Sequence, residues 1–219
     1  EIPLVCMACF DPVVMGLAEG YADPQRNLTG TCYRVEIKEQ IKEALQPLEP
    51  QLKRLGIVYR SGQRQSEIQM DEAQTACAAF DIEAVPYDAQ SSDELPKAAD
   101  FFKKHKVDAV YLGSDTAVAG ASEKQLQKLV TSFPTLCALD STIQKGGLIG
   151  RIADWEKICN DAATLSIKVL EGTSIAQLPI IRNPAARTVI NAKTAKKLKI
   201  KLKKEFLAKA AKVYDGKSD

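Results

Sequence analysis

The stretch GIVYRSGQRQSEIQMDEAQTACAAFDIEAVPY, residues 56–87, decides the fold. Gly56-Ile57-Val58-Tyr59 is an apolar run of strand length, Gln65 to Phe80 reads as a helix, and Ile82 to Tyr87 reads as a second strand. Two strands joined through a helix form the unit from which parallel sheets are built. The alternation continues with a helix over Ser92 to Lys104, a strand over Asp108 to Leu112, a helix near Ala117 to Thr131 and a strand over Thr135 to Leu139. The fold class is therefore α/β, with parallel sheets flanked by helices.

Such sheets present ligand-facing groups at the carboxyl ends of their strands. Those ends read Cys9-Phe10-Asp11, Tyr59-Arg60-Ser61, Tyr87-Asp88, Gly113-Ser114-Asp115 and Asp140-Ser141-Thr142. Each short polar residue there also suits a turn or a helix N-cap, so both readings stand position by position. Taken together, five polar strand ends describe a lined crevice.

Working outward, Ile2 to Ala8 is an apolar run that reads as a strand buried on both faces. Val13 to Gly20 reads as a short helix, Asn27 to Gly30 as a turn, and Thr31 to Tyr33 as an extended piece. Glu36 to Leu55 reads as a helix kinked near Pro47 and Pro50. After Gly146-Gly147 come the extended Leu148 to Gly150, a helix from about Asp154 to Leu170, and extended pieces at Leu178 to Ile181 and Thr188 to Asn191. The tail from Ala192 to Val213 reads as helical segments rich in lysine.

The composition narrows the function. With 219 residues, 45% hydrophobic and 26% charged, the chain has ordinary globular usage, and a net charge of +2 does not argue for a polyanionic partner. The lysines of the tail alternate with Leu198, Ile200, Leu202 and Phe206, which reads as an amphipathic face rather than a nucleic-acid surface. No run approaches the roughly 18 apolar residues of a membrane span, and residues 1–8 lack the basic and long apolar regions of a signal peptide, so export implies a leader already removed. Of six cysteines, Cys77, Cys137 and Cys159 sit within apolar segments and read as buried. Cys6-Met7-Ala8-Cys9 has redox or metal spacing but no second pair and no helix start. The single histidine, His105, ends a helix, and no nucleophile elbow, P-loop or dinucleotide motif follows any strand. These features call for no catalytic residue, metal or cofactor, and favour binding over an enzyme.

Asp11-Pro12-Val13 with Gly16-Leu17, then Asn27-Leu28-Thr29-Gly30, resembles the signature of substrate-binding proteins of bacterial ABC importers, the type I periplasmic binding group that takes up tryptophan and tyrosine. Leu55 to Tyr59, Asp108 to Tyr111 with Ser114-Asp115, Gly146-Gly147, Ile167 to Gly172, Leu178-Pro179 and Val189 to Asn191 with Ala195 match in order, so the resemblance covers essentially the whole chain. It implies two hinged lobes closing over a small polar solute such as an aromatic or branched amino acid, with no chemistry performed. The lobes are expected at 1–34 with 145–175, and at 35–144 with 176–219. The first is expected to lack about three βα units of about 30 residues each, leaving a gap filled by the missing N-terminal segment or by a second copy. A membrane permease is the implied partner, nucleic acid is not, and the implied location is periplasmic or cell-surface.

An amino acid brings an ammonium and a carboxylate. Asp115, with Ser114 beside it, is the expected partner of the ammonium, with Asp11 and Asp140 as alternatives. Phe10 and Tyr59 are expected as apolar walls, Ser61 as a polar contact, and Tyr33 lies near the first crossover. Arg60 replaces a small polar residue of the family pattern, and is either a feature favouring an anionic ligand or a solvated loop arginine. The competing function is a sensory or regulatory module of the same fold.

Overall fold

The computed structural model describes residues 2–48, 52–182 and 186–215. In chain order the elements are β1 (Leu4–Cys9), β2 (Leu28–Cys32), α1 (Ile37–Leu48), β3 (Arg54–Tyr59), α2 (Arg64–Ala79), β4 (Glu83–Asp88), α3 (Leu95–Lys104) and β5 (Ala109–Leu112). They continue with α4 (Thr116–Ala119), α5 (Glu123–Ser132), β6 (Thr135–Cys137), α6 (Asp140–Gln144), β7 (Ile149–Ala153), α7 (Trp155–Leu170), β8 (Ile181–Arg182), β9 (Ala186–Asn191), α8 (Ala192–Lys197), α9 (Lys204–Lys209) and β10 (Lys212–Tyr214). Pro47 falls within α1, and the kink expected at Pro50 lies outside the described residues.

The chain divides into two compact units, residues 1–35 with 153–186 and residues 36–152 with 187–219. The crossings differ from the expected boundaries near 145 and 175. β7 pairs with β6 at Leu136 and Ile149, which holds the chain in the larger unit through Ile152. β8 pairs in parallel with β2, and Thr29 donates its hydroxyl to the carbonyl of Pro179, which keeps this later segment in the smaller unit.

The larger unit carries a seven-stranded sheet in the order β10-β9-β7-β6-β5-β3-β4. Its pairings β3–β4, β3–β5, β5–β6, β6–β7 and β9–β10 are parallel. The continuous apolar strands follow from burial on both faces. Val58, Val110 and Leu112 enter one core with Leu95, Phe102, Leu126 and Leu129, whereas Leu55, Ile57, Ala109 and Tyr111 enter another with Ile37, Ile41, Ala73 and Phe206. The lysine-rich tail contributes to the second core through Ala195 and Phe206, with Ile200, Leu202 and Leu207 packed against it. Its last piece is a strand, β10, where the sequence suggested only helix.

The smaller unit carries a three-stranded sheet in the order β1-β2-β8, with α7 packed on β1 and β2. β1 is an edge strand with Leu4 (57% exposed) and Met7 (65%) facing solvent, where its composition alone suggested burial on both faces and the resemblance implied a strand whose neighbours are absent from this chain. The helix expected over Val13 to Gly20 is absent. Asp11 Oδ1 accepts the N–H groups of Val13 and Val14, an Asx-type turn, and Gly16 at φ 76° carries the chain out of it. Cys77 and Cys137 are buried as expected, but Cys159 is exposed on the face of α7 opposite its buried Ile158, Ala162 and Leu165.

Candidate functional site

In the smaller unit the ends of β1 and β2 are held side by side past their last ladder pairs. The N–H of Tyr33 donates to Cys9 and that of Arg34 to Phe10, both at 3.0 Å, which aligns Phe10 with Tyr33 and Asp11 with Arg34. Asp11 is fully buried. While its Oδ1 serves the turn, its Oδ2 accepts from the Tyr21 hydroxyl at 2.7 Å and from Arg34 at 3.3 Å. Burial, and then the adjoining Asp11 carboxylate, pushes the Tyr21 phenol up to about 12. The Arg182 guanidinium sits 4.9 Å above the Tyr21 ring.

Beside this polar network runs a row of rings. Phe10 meets Tyr33 edge-to-face at 5.8 Å, and Tyr33 meets Trp155 at 5.3 Å with an interplanar angle of 35°. Trp155 opens α7 directly after the N-cap Asp154, whose side chain accepts the N–H of Lys157.

In the larger unit the ends of β3, β4 and β5 carry a second set. Gln65 and Gln69, one turn apart on α2, both donate to the Ser114 hydroxyl, at 2.7 and 3.0 Å, and Gln69 also accepts the Ser114 N–H. Asp115 Oδ1 caps α4 by accepting from the N–H groups of Ala117 and Val118. Its Oδ2 is buried and makes no hydrogen bond, and burial raises the carboxyl pKa above its ordinary value. Arg60 is not a free loop arginine. Its guanidinium donates to the Thr116 hydroxyl, which also hydrogen-bonds Gln63. Ser61 donates through its N–H and hydroxyl to Asp88, which also accepts from Gln90. Burial pushes Asp88 upward, but these hydrogen bonds outweigh it and leave the carboxyl below its ordinary value. Tyr59 ends β3, half-buried, and burial raises its phenol.

The structure thus gathers Phe10, Asp11 and Tyr33 in the smaller unit, and Tyr59, Ser61, Ser114 and Asp115 at neighbouring strand ends of the larger one. Asp140 stands apart from these, bound by the Tyr214 hydroxyl at 3.0 Å and by Lys212 at 3.4 Å, so its carboxylate anchors β10. Sequence reasoning did not assign Tyr21, Arg34, Gln65 or Gln69 to the site. The i, i+4 spacing of the two glutamines was the available signal.

A cavity of about 430 Å³ in the larger unit, lined by Glu123, Lys124, Lys145, Thr194 and Lys197 among others, contains none of the candidate ligand-binding residues. Among the described residues no cluster of three or more His, Cys, Asp or Glu is placed to hold a metal. Burial first, and then neighbouring Cys6 and Asp11, raises the Cys9 thiol, and burial raises that of Cys6, the opposite of the activation a redox pair needs.

A family model described as ABC transporter substrate binding protein matches residues 1–214. The chain belongs to this family. It is 27% identical over 200 residues to a tyrosine-binding protein of Clostridioides difficile strain R20291, a match spanning 90% of this chain and 57% of that protein. The chain therefore spans little more than half the length of that relative. Among solved structures, a conserved domain protein of Vibrio cholerae superposes with a TM-score of 0.88 at 25% identity, over 97% of this chain and 72% of the other. A domain from Streptococcus pneumoniae in complex with L-Trp superposes at 0.84 with 22% identity, and a ligand-free, open substrate-binding protein with adhesive properties from Clostridium difficile at 0.78 with 23% identity. Both cover 97% of this chain, and 72% and 71% respectively of their own. The likenesses place the fold with the type I periplasmic binding proteins, as the motifs implied.

Proposed function

We propose that the chain is the solute-binding part of an ABC importer, holding an amino acid with an aromatic or branched side chain and passing it unchanged to a membrane permease. The family match along residues 1–214 carries this reading. The kinship with a tyrosine-binding protein, and the fold shared with a domain solved with L-Trp, favour an aromatic amino acid.

The strand-end residues fit a binder better than a catalyst. In the smaller unit Phe10 and Tyr33 supply apolar surface; in the larger unit Tyr59 supplies apolar surface and Ser61 and Ser114 polar groups. Asp115 Oδ2, already desolvated and without a hydrogen-bond partner, is the atom proposed for the ammonium. Asp11, buried and held by protein partners, shapes its strand end instead, and Asp140 serves the Tyr214 hydroxyl and Lys212 of β10. The proposed location is periplasmic or cell-surface, that of proteins serving such importers. The open edge of β1, with exposed Ile2, Leu4 and Met7, favours cover by a further protein segment or a second copy.

Native mass spectrometry of gently purified protein tests both points. The expected result is a bound species with the mass of a free amino acid. A bound sugar or nucleotide in its place contradicts the reading, and a strictly bare 23.9 kDa chain contradicts the covered edge.

A further inference from the structure

Phe10 and Tyr33 follow the carboxyl ends of β1 and β2, the side of a parallel sheet where ligands are met, and Trp155 opens α7, which packs on both strands. Their exposure rises along the row. Phe10 is 5% exposed, Tyr33 is half-buried, and Trp155 is 40% exposed. We propose that Trp155, backed by Tyr33 and Phe10, is the stacking surface for a flat aromatic side chain and sets the preference for aromatic over aliphatic amino acids. The proposal rests on the reading of the chain as an amino-acid-binding protein and adds the residue that discriminates among amino acids.

Three observations carry it. First, the fold does not need the indole where it stands. Asp154 supplies the cap of α7, and Ile158, Ala162 and Leu165 supply its core contacts, so packing leaves the exposed part of Trp155 unexplained. Second, Trp155 stands apart from the other exposed apolar residues of its own helix. Ile167 and Leu170 lie at the far end of the same helix, roughly 18 Å along its axis from Trp155 to Ile167 at 1.5 Å per residue. Third, the row is preorganised. Its inner members are fixed by the backbone bonds from Tyr33 to Cys9 and from Arg34 to Phe10, and by the Asp11 network one residue further on. A rigid row, buried at one end and open at the other, loses little freedom when a ligand ring extends it.

Trp155 is the only tryptophan in the chain, so its emission reports directly on the proposed contact. Titration of the whole chain with L-phenylalanine and L-tyrosine, exciting indole selectively, is expected to change that emission saturably. By calorimetry, Trp155→Ala is expected to weaken L-phenylalanine and L-tyrosine about tenfold, the size of one lost aromatic contact. L-leucine affinity is expected to stay within about threefold, and Trp155→Phe is expected to restore most of the aromatic preference. Because Trp155 is partly exposed, both variants are expected to melt near the parent temperature. Aromatic binding by the parent that Trp155→Ala leaves intact, or a loss shared equally by L-leucine, overturns the proposal while sparing the amino-acid reading. A parent chain that binds none of these amino acids overturns that reading and the proposal with it.

Discussion

Asp115 has two oxygens in different circumstances. Oδ1 holds two N–H groups at the start of α4, whereas Oδ2 is buried without a hydrogen bond. Its folded pKa lies above its unfolded value of about 3.9, so the native state holds this proton more tightly. This group's contribution therefore favours folding most below about pH 4, and declines as pH rises through the raised folded value. Asp115→Asn keeps an acceptor for the cap and removes the buried charge. It is expected to melt at least as high as the parent at neutral pH and to flatten this group's pH dependence, whereas Asp115→Ala loses about 1 kcal/mol with the cap. Differential scanning calorimetry against pH checks both, and an Asn variant less stable than the Ala variant contradicts the assignment. Asp11, Asp115 and Asp140 were all visible in the sequence as strand-end aspartates. Their partners were not, because a short carboxylate serves a cap, an ion pair or a ligand equally well. What each aspartate does is set by contacts that close only on folding, such as Tyr214 reaching Asp140 across 74 residues.

The βα alternation of the larger unit was readable because each of its inner strands is apolar on both faces and each helix is bounded by turn residues. The smaller unit was less so. The apolar run Ile2 to Ala8 looks the same whether both its faces are covered or one is open, and the structure leaves it at an edge. Val13 to Gly20 has helical composition, and Asp11 caps a single turn in which the Met15 N–H reaches the Asp11 carbonyl, but Gly16 at φ 76° leaves the helical region and ends it there. Gly30 shows how tightly β1 and β2 are joined. At φ 144° it would place a Cβ 2.1 Å from the Cys6 carbonyl oxygen, and that neighbour is strand backbone with nowhere to move. Gly30→Ala is therefore expected to destabilise the smaller unit by more than about 3 kcal/mol, combining backbone strain with a broken strand pairing. Limited proteolysis is expected to cut the smaller unit of this variant first while the fragment spanning residues 36–152 resists. Cleavage at the parental rate contradicts the account.

Each of the two compact units carries a sheet whose strand ends bear polar and aromatic residues, the side of a parallel sheet where ligands are met. The ordered motifs from Asp11-Pro12-Val13 to Val189-Ile190-Asn191 were enough to place the family, since they run through both units. The crossing points were harder to read, because the return into the smaller unit falls between Ile152 and Ala153 at the end of a continuous strand, β7, past its Gly150 and with no glycine or proline at the crossing itself. Reversible capture of an unaltered amino acid is the proposed function. Isothermal titration of the purified chain with L-tyrosine and L-tryptophan, followed by chromatographic recovery of the ligand, tests it most directly. Saturable 1:1 binding with a Kd of about 1 μM or tighter, corresponding to about −8 kcal/mol, with full recovery of the amino acid unchanged, is expected. Absence of binding heat with either amino acid, or recovery of a chemically altered product, would contradict it.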